Sequence, residues 1–329
     1  MAPLHAAGSW VGPFARNSGD GQRWGSCERA VYQVDSMIRR QSAEVRMRVA
    51  GTLQRVIGRD VPPPLTSSAG RLAAGSRRLS QVVPLGEATI VFRALGRYKL
   101  FAPAGDVHIV SHLAFDGVWE PDVTCAIARA VQPGAHCVDV GANIGYYTTL
   151  LADRAGDSGR VLAVEPNPRL VELIKFSNEA NGFLRRVEIA QLAAGSQEGE
   201  AELTVPHGRS SWGSLGGSST PSSDTVPVRV ARLDTVVGRW PVVDFVKIDV
   251  EGSEGAVWEG MQETVKRCPG IEIVLEFVPE RSSDPASLVG SMREAGFILR
   301  AIAPDGSLQP RSTAQILEDQ YTMLFLSRR

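Results

Sequence analysis

From residue 81 onward, the apolar positions alternate between two patterns. Short apolar runs bounded by Gly, Pro or acidic residues predict strands, and apolar residues repeating every three or four positions predict helices. The predicted strands lie near residues 136–140, 160–165, 186–191, 243–249, 271–277, 297–302 and 321–327. The predicted helices cover about 120–131, 145–153, 168–181, 253–266 and 285–295. This alternation predicts an α/β fold whose helices cover both faces of one sheet.

Two further stretches have the period of strands. Residues 81–118 contain three short alternating runs, at 89–92, 98–101 and 107–110, and predict a β-rich segment before the core. His108 and His112 fall in this extended pattern, which places them too far apart to share a metal ion. The runs 201–205 and 226–230 predict a hairpin, whose long Gly/Ser-rich connection carries Trp212 and is interpreted as a substrate lid.

Residues 1–80 have a different composition. They contain twelve arginines against five acids, and apolar residues at helical spacing between 28 and 58 predict one or two helices with a basic face. Pro and Gly/Ser clusters over 58–80 predict a linker. Two interpretations stay open for this extension, an accessory helix that packs on the catalytic domain or on a dimer partner, and docking at a membrane surface.

The most informative stretch joins a strand to a helix through glycines. Residues 137–145 read CVDVGANIG, and Glu165 ends the next predicted strand. Glycines allow a sharp turn and a close approach of a ligand to the backbone, and an acid at that distance can accept both hydroxyl hydrogens of a ribose. Ala142 and Asn143 stand where a diphosphate turn would need glycine, which favours a nucleoside without phosphates. Asp139 could bind an amino acid ammonium, so S-adenosylmethionine fits better than NAD.

Acids also follow two later strands. The run VDFVKIDVEGSE at 243–254 places Asp249 at the carboxyl end of one strand, and Glu276 lies near the end of the next. Ligands of open α/β sheets bind outside the carboxyl ends of the strands. The pattern therefore predicts that several carboxylates converge on one crevice.

These motifs together resemble the FkbM family of S-adenosylmethionine-dependent methyltransferases. The resemblance rests on DVGANIGYYT at 139–148, EPNP at 165–168, KIDVEGSE at 247–254 and LEF at 275–277, and it extends over roughly residues 85–327. It implies a Rossmann-like seven-strand methyltransferase sheet, with the last strand inserted antiparallel, in a domain over 81–329. It also implies methyl transfer to an oxygen, commonly a hydroxyl of a sugar, glycolipid or polyketide-type natural product in secondary metabolite biosynthesis.

The resemblance and the spacing together give a set of candidate site residues. The predicted cofactor-binding residues are Asp139, Gly141, Asn143, Gly145, Tyr147, Thr148, Glu165, Asn167 and Ser196. The predicted catalytic residues are Asp249, Lys247, Glu251 and Glu254, with Asp249 as base or hydroxyl orienter. The predicted substrate-binding residues are Glu120, Trp212 and Glu276. Glu276 could also complete a divalent-cation site with Asp249, although no motif indicates a metal.

Composition adds few constraints. A formal net charge of −1 gives no reason to expect a nucleic acid partner, and four scattered cysteines suggest neither a zinc site nor a disulfide framework. No apolar run predicts a membrane span or a secretory signal, so we expect a cytoplasmic enzyme, with a homodimer possible. Two other functions stay open, an N- or carboxyl-methyltransferase of a peptide or amino acid natural product, and a catalytically silent nucleoside-binding scaffold.

Overall fold

A mixed β-sheet forms the centre of the protein. The structure is a computed structural model that describes residues 62–207, 213–215 and 222–328. The strands of the described residues are β1 (Val82–Pro84), β2 (Thr89–Ala94), β3 (Tyr98–Pro103), β4 (His136–Val140), β5 (Arg160–Val164), β6 (Val187–Ala190), β7 (Ala193–Ala194), β8 (Gly199–Pro206), β9 (Ser214–Leu215), β10 (Ser223–Ala231), β11 (Phe245–Ile248), β12 (Glu272–Phe277), β13 (Ile298–Ile302), β14 (Leu308–Pro310) and β15 (Thr322–Ser327).

Helices occupy most of the connections between these strands. The α-helices of the described residues are α1 (Ala69–Leu79), α2 (Ile109–Asp116), α3 (Pro121–Ala130), α4 (Tyr146–Ala155), α5 (Pro168–Asn181), α6 (Leu233–Val236), α7 (Glu254–Glu259), α8 (Gln262–Arg267), α9 (Pro285–Glu294) and α10 (Thr313–Glu318). A 3₁₀ turn over Pro279–Arg281 follows β12.

The strand order explains where a ligand can bind. In the central sheet the strand order is β14-β13-β15-β12-β11-β4-β5-β6. The five neighbouring strands β12, β11, β4, β5 and β6 run parallel to one another. Strand β15 runs antiparallel between β12 and β13. The expected Rossmann-like sheet with an inserted antiparallel last strand is confirmed, and β14 adds an eighth strand at one edge to the seven that the sequence predicted. The order reverses between β4 and β11, and in such sheets the crevice for ligands opens at that point.

The residues of each strand alternate between two hydrophobic cores. On β4, Cys137 belongs to the core that contains α3, α4 and the β2–β3 hairpin, whereas Val138 belongs to the core that contains α7, α8 and α9. On β15, Phe325 and Leu324 divide in the same way. The period of two therefore places helices on both faces of the sheet, as predicted.

Two predicted elements differ in the structure. The predicted linker contains helix α1, which buries Leu72 and Leu79, and Leu72 belongs to the same hydrophobic core as residues of β2 and β3. The apolar run 107–110, predicted as a strand, instead begins helix α2 with His108 at its N-cap, and His112 lies within that helix. The other part of the N-terminal extension, residues 1–61, lies outside the described residues.

The predicted hairpin between the third and fourth core strands is confirmed. Strands β8 and β10 pair antiparallel, with Leu203 opposite Val226, and they form a second sheet with β7 and β9. Of the connecting loop, Gly213 to Leu215 are described, and Ser214–Leu215 pair with β8. Trp212, predicted to contact substrate, lies outside the described residues. None of the helices in the described part of the chain is long and apolar enough to cross a membrane.

Candidate active site

A cavity of about 1130 Å³ opens at the carboxyl ends of β4, β5, β11 and β12. Ten of the residues predicted from sequence line it: Glu120, Gly141, Asn143, Tyr147, Glu165, Asn167, Lys247, Asp249, Glu251 and Glu276. The convergence of carboxylates from separate strand ends, expected from the sequence, is thus present in the structure.

The loop after β4 brings backbone close to the cavity. Gly141 and Asn143 both have positive φ, of 78° and 53°, and a Cβ atom on Gly141 would lie 1.8 Å from the carbonyl oxygen of Asp249. The amides of Gly141 and Ala142 donate to the carbonyl of Val164, which fixes this loop against β5. A glycine is therefore required where the β4 and β11 loops touch.

Glu165 lies at the end of β5, almost fully buried. Its Oε2 accepts a hydrogen bond from the amide of Asn143 at 2.8 Å, and its Oε1 accepts one from the amide of Asn167 at 2.9 Å. A carboxylate has roughly four acceptor sites, so two remain for a ligand. Burial raises the pKa of Glu165 to about 7, although both amide hydrogen bonds oppose this shift.

Five predicted site residues do not line this cavity: Asp139, Gly145, Thr148, Ser196 and Glu254. Asp139 is fully buried beneath it and accepts a hydrogen bond from Thr148 Oγ1 at 2.6 Å, so the pair anchors the start of α4. Gly145 is the N-cap of α4, and the backbone oxygen of Ser196 accepts from Arg232. Glu254 accepts from the amide of Gly252 and holds the turn that follows Asp249.

Comparison with known proteins identifies the part of the chain that forms this cavity. Residues 139–299 match the family model of the Methyltransferase FkbM domain. The chain carries an FkbM methyltransferase domain. The resemblance drawn from the sequence motifs is therefore confirmed, and the matched residues run from the glycine loop to β13.

Individual relatives match over shorter stretches. The chain is 43% identical over 58 residues to a protein-L-isoaspartate O-methyltransferase of Aeropyrum pernix, which is 18% of this chain and 22% of that protein. It is 35% identical over 82 residues to the protein of that name in Triticum aestivum, 25% of this chain and 32% of that protein. The matches thus span about a third or less of the length of these curated relatives.

Solved structures of methyltransferases are similar at low sequence identity. The methyltransferase FkbM from Methylobacillus flagellatus KT matches with a TM-score of 0.39 and 15% identity, over 59% of this chain and 44% of that one. A SAM-dependent O-methyltransferase from Thermotoga maritima matches with a TM-score of 0.37 and 16% identity, over 63% and 64%.

A buried cation lies on the floor of the cavity in the FkbM domain. The Lys247 side chain is 2% exposed, and its Nζ donates to Asp249 Oδ2 at 2.9 Å and lies 4.5 Å from the centre of the Tyr147 ring. Burial lowers the pKa of Lys247, but the charges of Asp249, Asp139 and Glu120 outweigh burial and hold that pKa above its usual value. Burial likewise disfavours the charged form of Asp249, yet Lys247 holds the pKa of Asp249 below its usual range.

Two further acids, Glu251 and Glu276, lie close to Asp249. Burial and then the charge of Asp249 raise the pKa of Glu276 to about 9 and that of Glu251 to about 7. Glu251 pairs with Arg281, whose Nη1 also lies 3.8 Å from Glu276 Oε2. One oxygen of each acid lies within 4.8 Å of the other two, a spacing that could ligate a cation. Lys247 and Arg281 already supply positive charge to this cluster.

A second opening adjoins this cavity. This adjoining groove is bordered by His108, Trp119, Glu120, Glu251, Glu276, Arg281, Arg311 and Tyr321, among others. Glu120, Glu251 and Glu276 border both spaces. Sequence reasoning missed Tyr321, whose hydroxyl donates to Glu120 Oε1 at 3.0 Å, since 201 positions separate the two residues and no local pattern connects them. Trp119 was also missed; it lies against the rings of His108 and His112.

Proposed function

We propose that this chain is an O-methyltransferase that transfers the methyl group of S-adenosylmethionine to a hydroxyl of a sugar, glycolipid or polyketide-type acceptor. The observation that supports this most is the Glu165 carboxylate, which is fixed by two backbone amides beside a loop where only glycine fits. Such a carboxylate retains acceptor sites for the two hydroxyls of a ribose. The names of the two curated relatives also describe transfer to oxygen.

The residues present fit this cofactor. Glu165 would accept from the ribose, and the backbone at Gly141 to Asn143 would border the methionine portion. Asn143 Oδ1 is buried and has no hydrogen-bond partner within the described ranges, which leaves an acceptor beside that loop. Bound S-adenosylmethionine would supply an electrophilic methyl group whose leaving group is a neutral thioether.

The protein then has two tasks. It holds the acceptor oxygen in line with the methyl carbon, and it removes the hydroxyl proton as the new bond forms. Asp249 is suited to the first task, because its pairing with Lys247 keeps it ionised, so that it can accept a hydrogen bond from a hydroxyl of the acceptor other than the one that is methylated. Its depressed pKa makes it a poor proton acceptor, which favours the hydroxyl orienter over the base among the two roles expected from sequence.

Replacing Glu165 tests the cofactor site. We expect Glu165→Ala to weaken binding of S-adenosylhomocysteine on the order of 100-fold, because two hydrogen bonds to a charged acceptor are lost. Isothermal titration calorimetry on the full chain measures this. Glu188→Ala is the matched control, since Glu188 is an exposed acid on the neighbouring strand β6. Equal affinities in all three proteins would contradict the assignment.

The same binding should depend on pH. The ribose hydroxyls donate more strongly to an ionised Glu165 than to a protonated one. Burial raises the pKa of Glu165 to about 7, although the amides of Asn167 and Asn143 oppose this rise. The charges of Asp139 and Asp249 also favour the protonated form. Affinity should therefore rise, by up to about tenfold per pH unit, as pH increases from about 6 to about 7, and then level off. Calorimetry with Glu165→Gln should show a flat profile over this range; a sloping one would assign the effect to another group.

Transfer itself requires an acceptor assay. The full chain is incubated with isotope-labelled methyl donor and separate pools of methyl glycosides, glycolipids, hydroxylated polyketides and short peptides, and products are identified by mass spectrometry. We expect one added methyl group on a hydroxyl compound. Methylation of peptide amines or carboxyls alone would replace the proposal with the second class of transferase. Tight binding of S-adenosylhomocysteine without any transfer would favour the scaffold.

A further inference from the structure

Glu120 occupies the junction between the cavity proposed to hold the cofactor, hereafter the cofactor cavity, and the adjoining groove, which we assign to the acceptor and call the acceptor groove. We propose that Glu120 is the general base that removes the proton of the acceptor hydroxyl, and that Tyr147 and Tyr321 are positioning residues for its carboxylate. This inference rests on the proposed methyl transfer, and it assigns the proton-removing role to a residue predicted from sequence only to contact substrate.

The backbone of Glu120 is held in an unfavourable conformation. Glu120 has φ 41° and ψ 71°, in the left-handed region, and it directly precedes Pro121 at the start of α3. A side chain with a Cβ rarely adopts such angles, and a following proline favours extended backbone instead. Thr124 maintains the turn, since its amide donates to the Glu120 carbonyl and its hydroxyl donates to the Trp119 carbonyl. Strain of this kind is concentrated at functional sites.

Two tyrosines from separate elements fix the Glu120 carboxylate. Tyr147 on α4 donates to Oε2 at 2.6 Å, and Tyr321 before β15 donates to Oε1 at 3.0 Å. Each oxygen accepts one hydrogen bond and keeps a lone pair for a further donor. The Tyr147 ring is itself held against Lys247 Nζ at 4.5 Å. The carboxylate is thus oriented by neutral hydroxyls.

The other acids that line the cofactor cavity are less suited to the role of base, and Glu165 among them is proposed to hold the ribose instead. Asp249 pairs with Lys247, and Glu251 pairs with Arg281. Glu276 keeps its proton at neutral pH, because its pKa is raised to about 9 by burial and by Asp249. Glu120 has no basic side chain within 4.0 Å of its carboxylate in the described part of the chain. Burial raises the pKa of Glu120. The charge of Lys247 opposes this rise, and the charge of Asp249 adds to it.

Glu120 would take the proton of the acceptor hydroxyl as the methyl group is transferred. The acceptor oxygen would form a bond to the methyl carbon while the carbon–sulfur bond breaks. The electron pair of the broken bond would remain on sulfur, which becomes a neutral thioether. The hydroxyl proton passes to the free lone pair of a Glu120 oxygen. The proton then leaves to solvent through the acceptor groove, which Glu120 borders.

The protonation of Glu120 can be measured without an acceptor. The full chain is labelled with ¹³C at glutamate carboxyls, saturated with S-adenosylhomocysteine and titrated by NMR, with Glu120→Gln to assign the resonance. We expect a midpoint above the ordinary value of a glutamate, because burial raises the pKa of Glu120 and a base that works near neutral pH needs such a shift. Tyr321→Phe should raise that midpoint further, because the carboxylate loses a donor to its charged form. A midpoint at or below the ordinary glutamate value, or one that Tyr321→Phe leaves unchanged, overturns the proposal.

The second test measures the turnover of each variant, with the hydroxyl compound that the labelled-donor assay shows to be methylated. We expect Glu120→Gln to lower kcat by about 100- to 1000-fold with unchanged S-adenosylhomocysteine affinity, and Tyr321→Phe to lower it less and to shift the pH profile upward. Glu188→Gln is the control variant, and thermal unfolding checks that all variants fold. Wild-type turnover in Glu120→Gln overturns the proposal. If the wild type fails to bind S-adenosylhomocysteine, the cofactor site is wrong, and the NMR titration of the free protein then decides on Glu120.

Discussion

Gly141→Ala is expected to lower the free energy of unfolding by about 4 kcal/mol or more and to abolish binding of S-adenosylhomocysteine. The substituted residue would keep a φ of 78°, which an L side chain adopts at a cost of about 1–2 kcal/mol. The larger contribution comes from the new Cβ, which would lie 1.8 Å from the Asp249 carbonyl oxygen. Since that atom is backbone, the β4 and β11 loops must separate. Urea unfolding and calorimetry measure the two effects.

Gly182→Ala separates the clash from the backbone strain. Gly182 has nearly the same φ, 77°, but a Cβ there would have no atom within 4 Å. We expect this variant to lose only about 1–2 kcal/mol of stability and to bind S-adenosylhomocysteine like the wild type. Similar losses for both variants would mean that the Gly141 loop does not contact β11 as described.

Lys247→Met is expected to destabilise the protein by about 3–5 kcal/mol near neutral pH, since it leaves buried acids without their cation. Lys247 is 2% exposed and pairs with Asp249, and the charges of Asp139 and Glu120 also stabilise it. The difference from wild type should shrink as pH falls. The depressed pKa of Asp249 contributes stability above the pKa of the unfolded chain, and this contribution is lost on acidification. Urea unfolding at several pH values measures both.

Lys266→Met is the matched control for this prediction. Lys266 pairs with Glu263 on the surface, where both side chains are more than two-thirds exposed. Its replacement should change stability by less than about 0.5 kcal/mol at every pH, because exposed pairs are screened by water. Adding Asp249→Asn to Lys247→Met should recover part of the lost stability. A Lys247→Met protein as stable as wild type near neutral pH would contradict the buried pair.

The sequence predicted those strands and helices whose apolar residues follow a regular local spacing. The seven core strands occur within two residues of their predicted ends, because strands buried in a sheet with helices on both faces read as continuous apolar runs between turns. The predicted helix over 253–266 is instead two helices, α7 and α8. A Cβ on Gly260 would lie 2.0 Å from the carbonyl oxygen of Gly195, and this close contact coincides with the break. That contact joins distant segments and leaves no local pattern.

Helix α1 is a second element that the local sequence pattern did not predict. Its Gly and Ser residues are typical of a linker, yet Gly75 packs where a Cβ would lie 2.8 Å from Pro63. Here small residues serve close packing, and composition alone does not distinguish this from a turn.

In the site, the sequence predicted which acids gather but not how they pair. Glu165 could be placed because a glycine loop and an acid at the next strand end form one local motif. The roles of Asp139 and Asp249 depend on Lys247, which lies beside Asp139 in the register of β4 and β11. That register buries one cation among several carboxylates and so separates an ionised Asp249 from a protonated Glu276. Such pairing is a property of the assembled sheet.

A crystal structure of the full chain with S-adenosylhomocysteine tests the central claim most directly. We expect both ribose hydroxyl oxygens within about 3.2 Å of the Glu165 carboxylate, and the sulfur directed toward Glu120 and Asp249. A nucleoside bound elsewhere, or a ribose turned away from Glu165, would contradict the account.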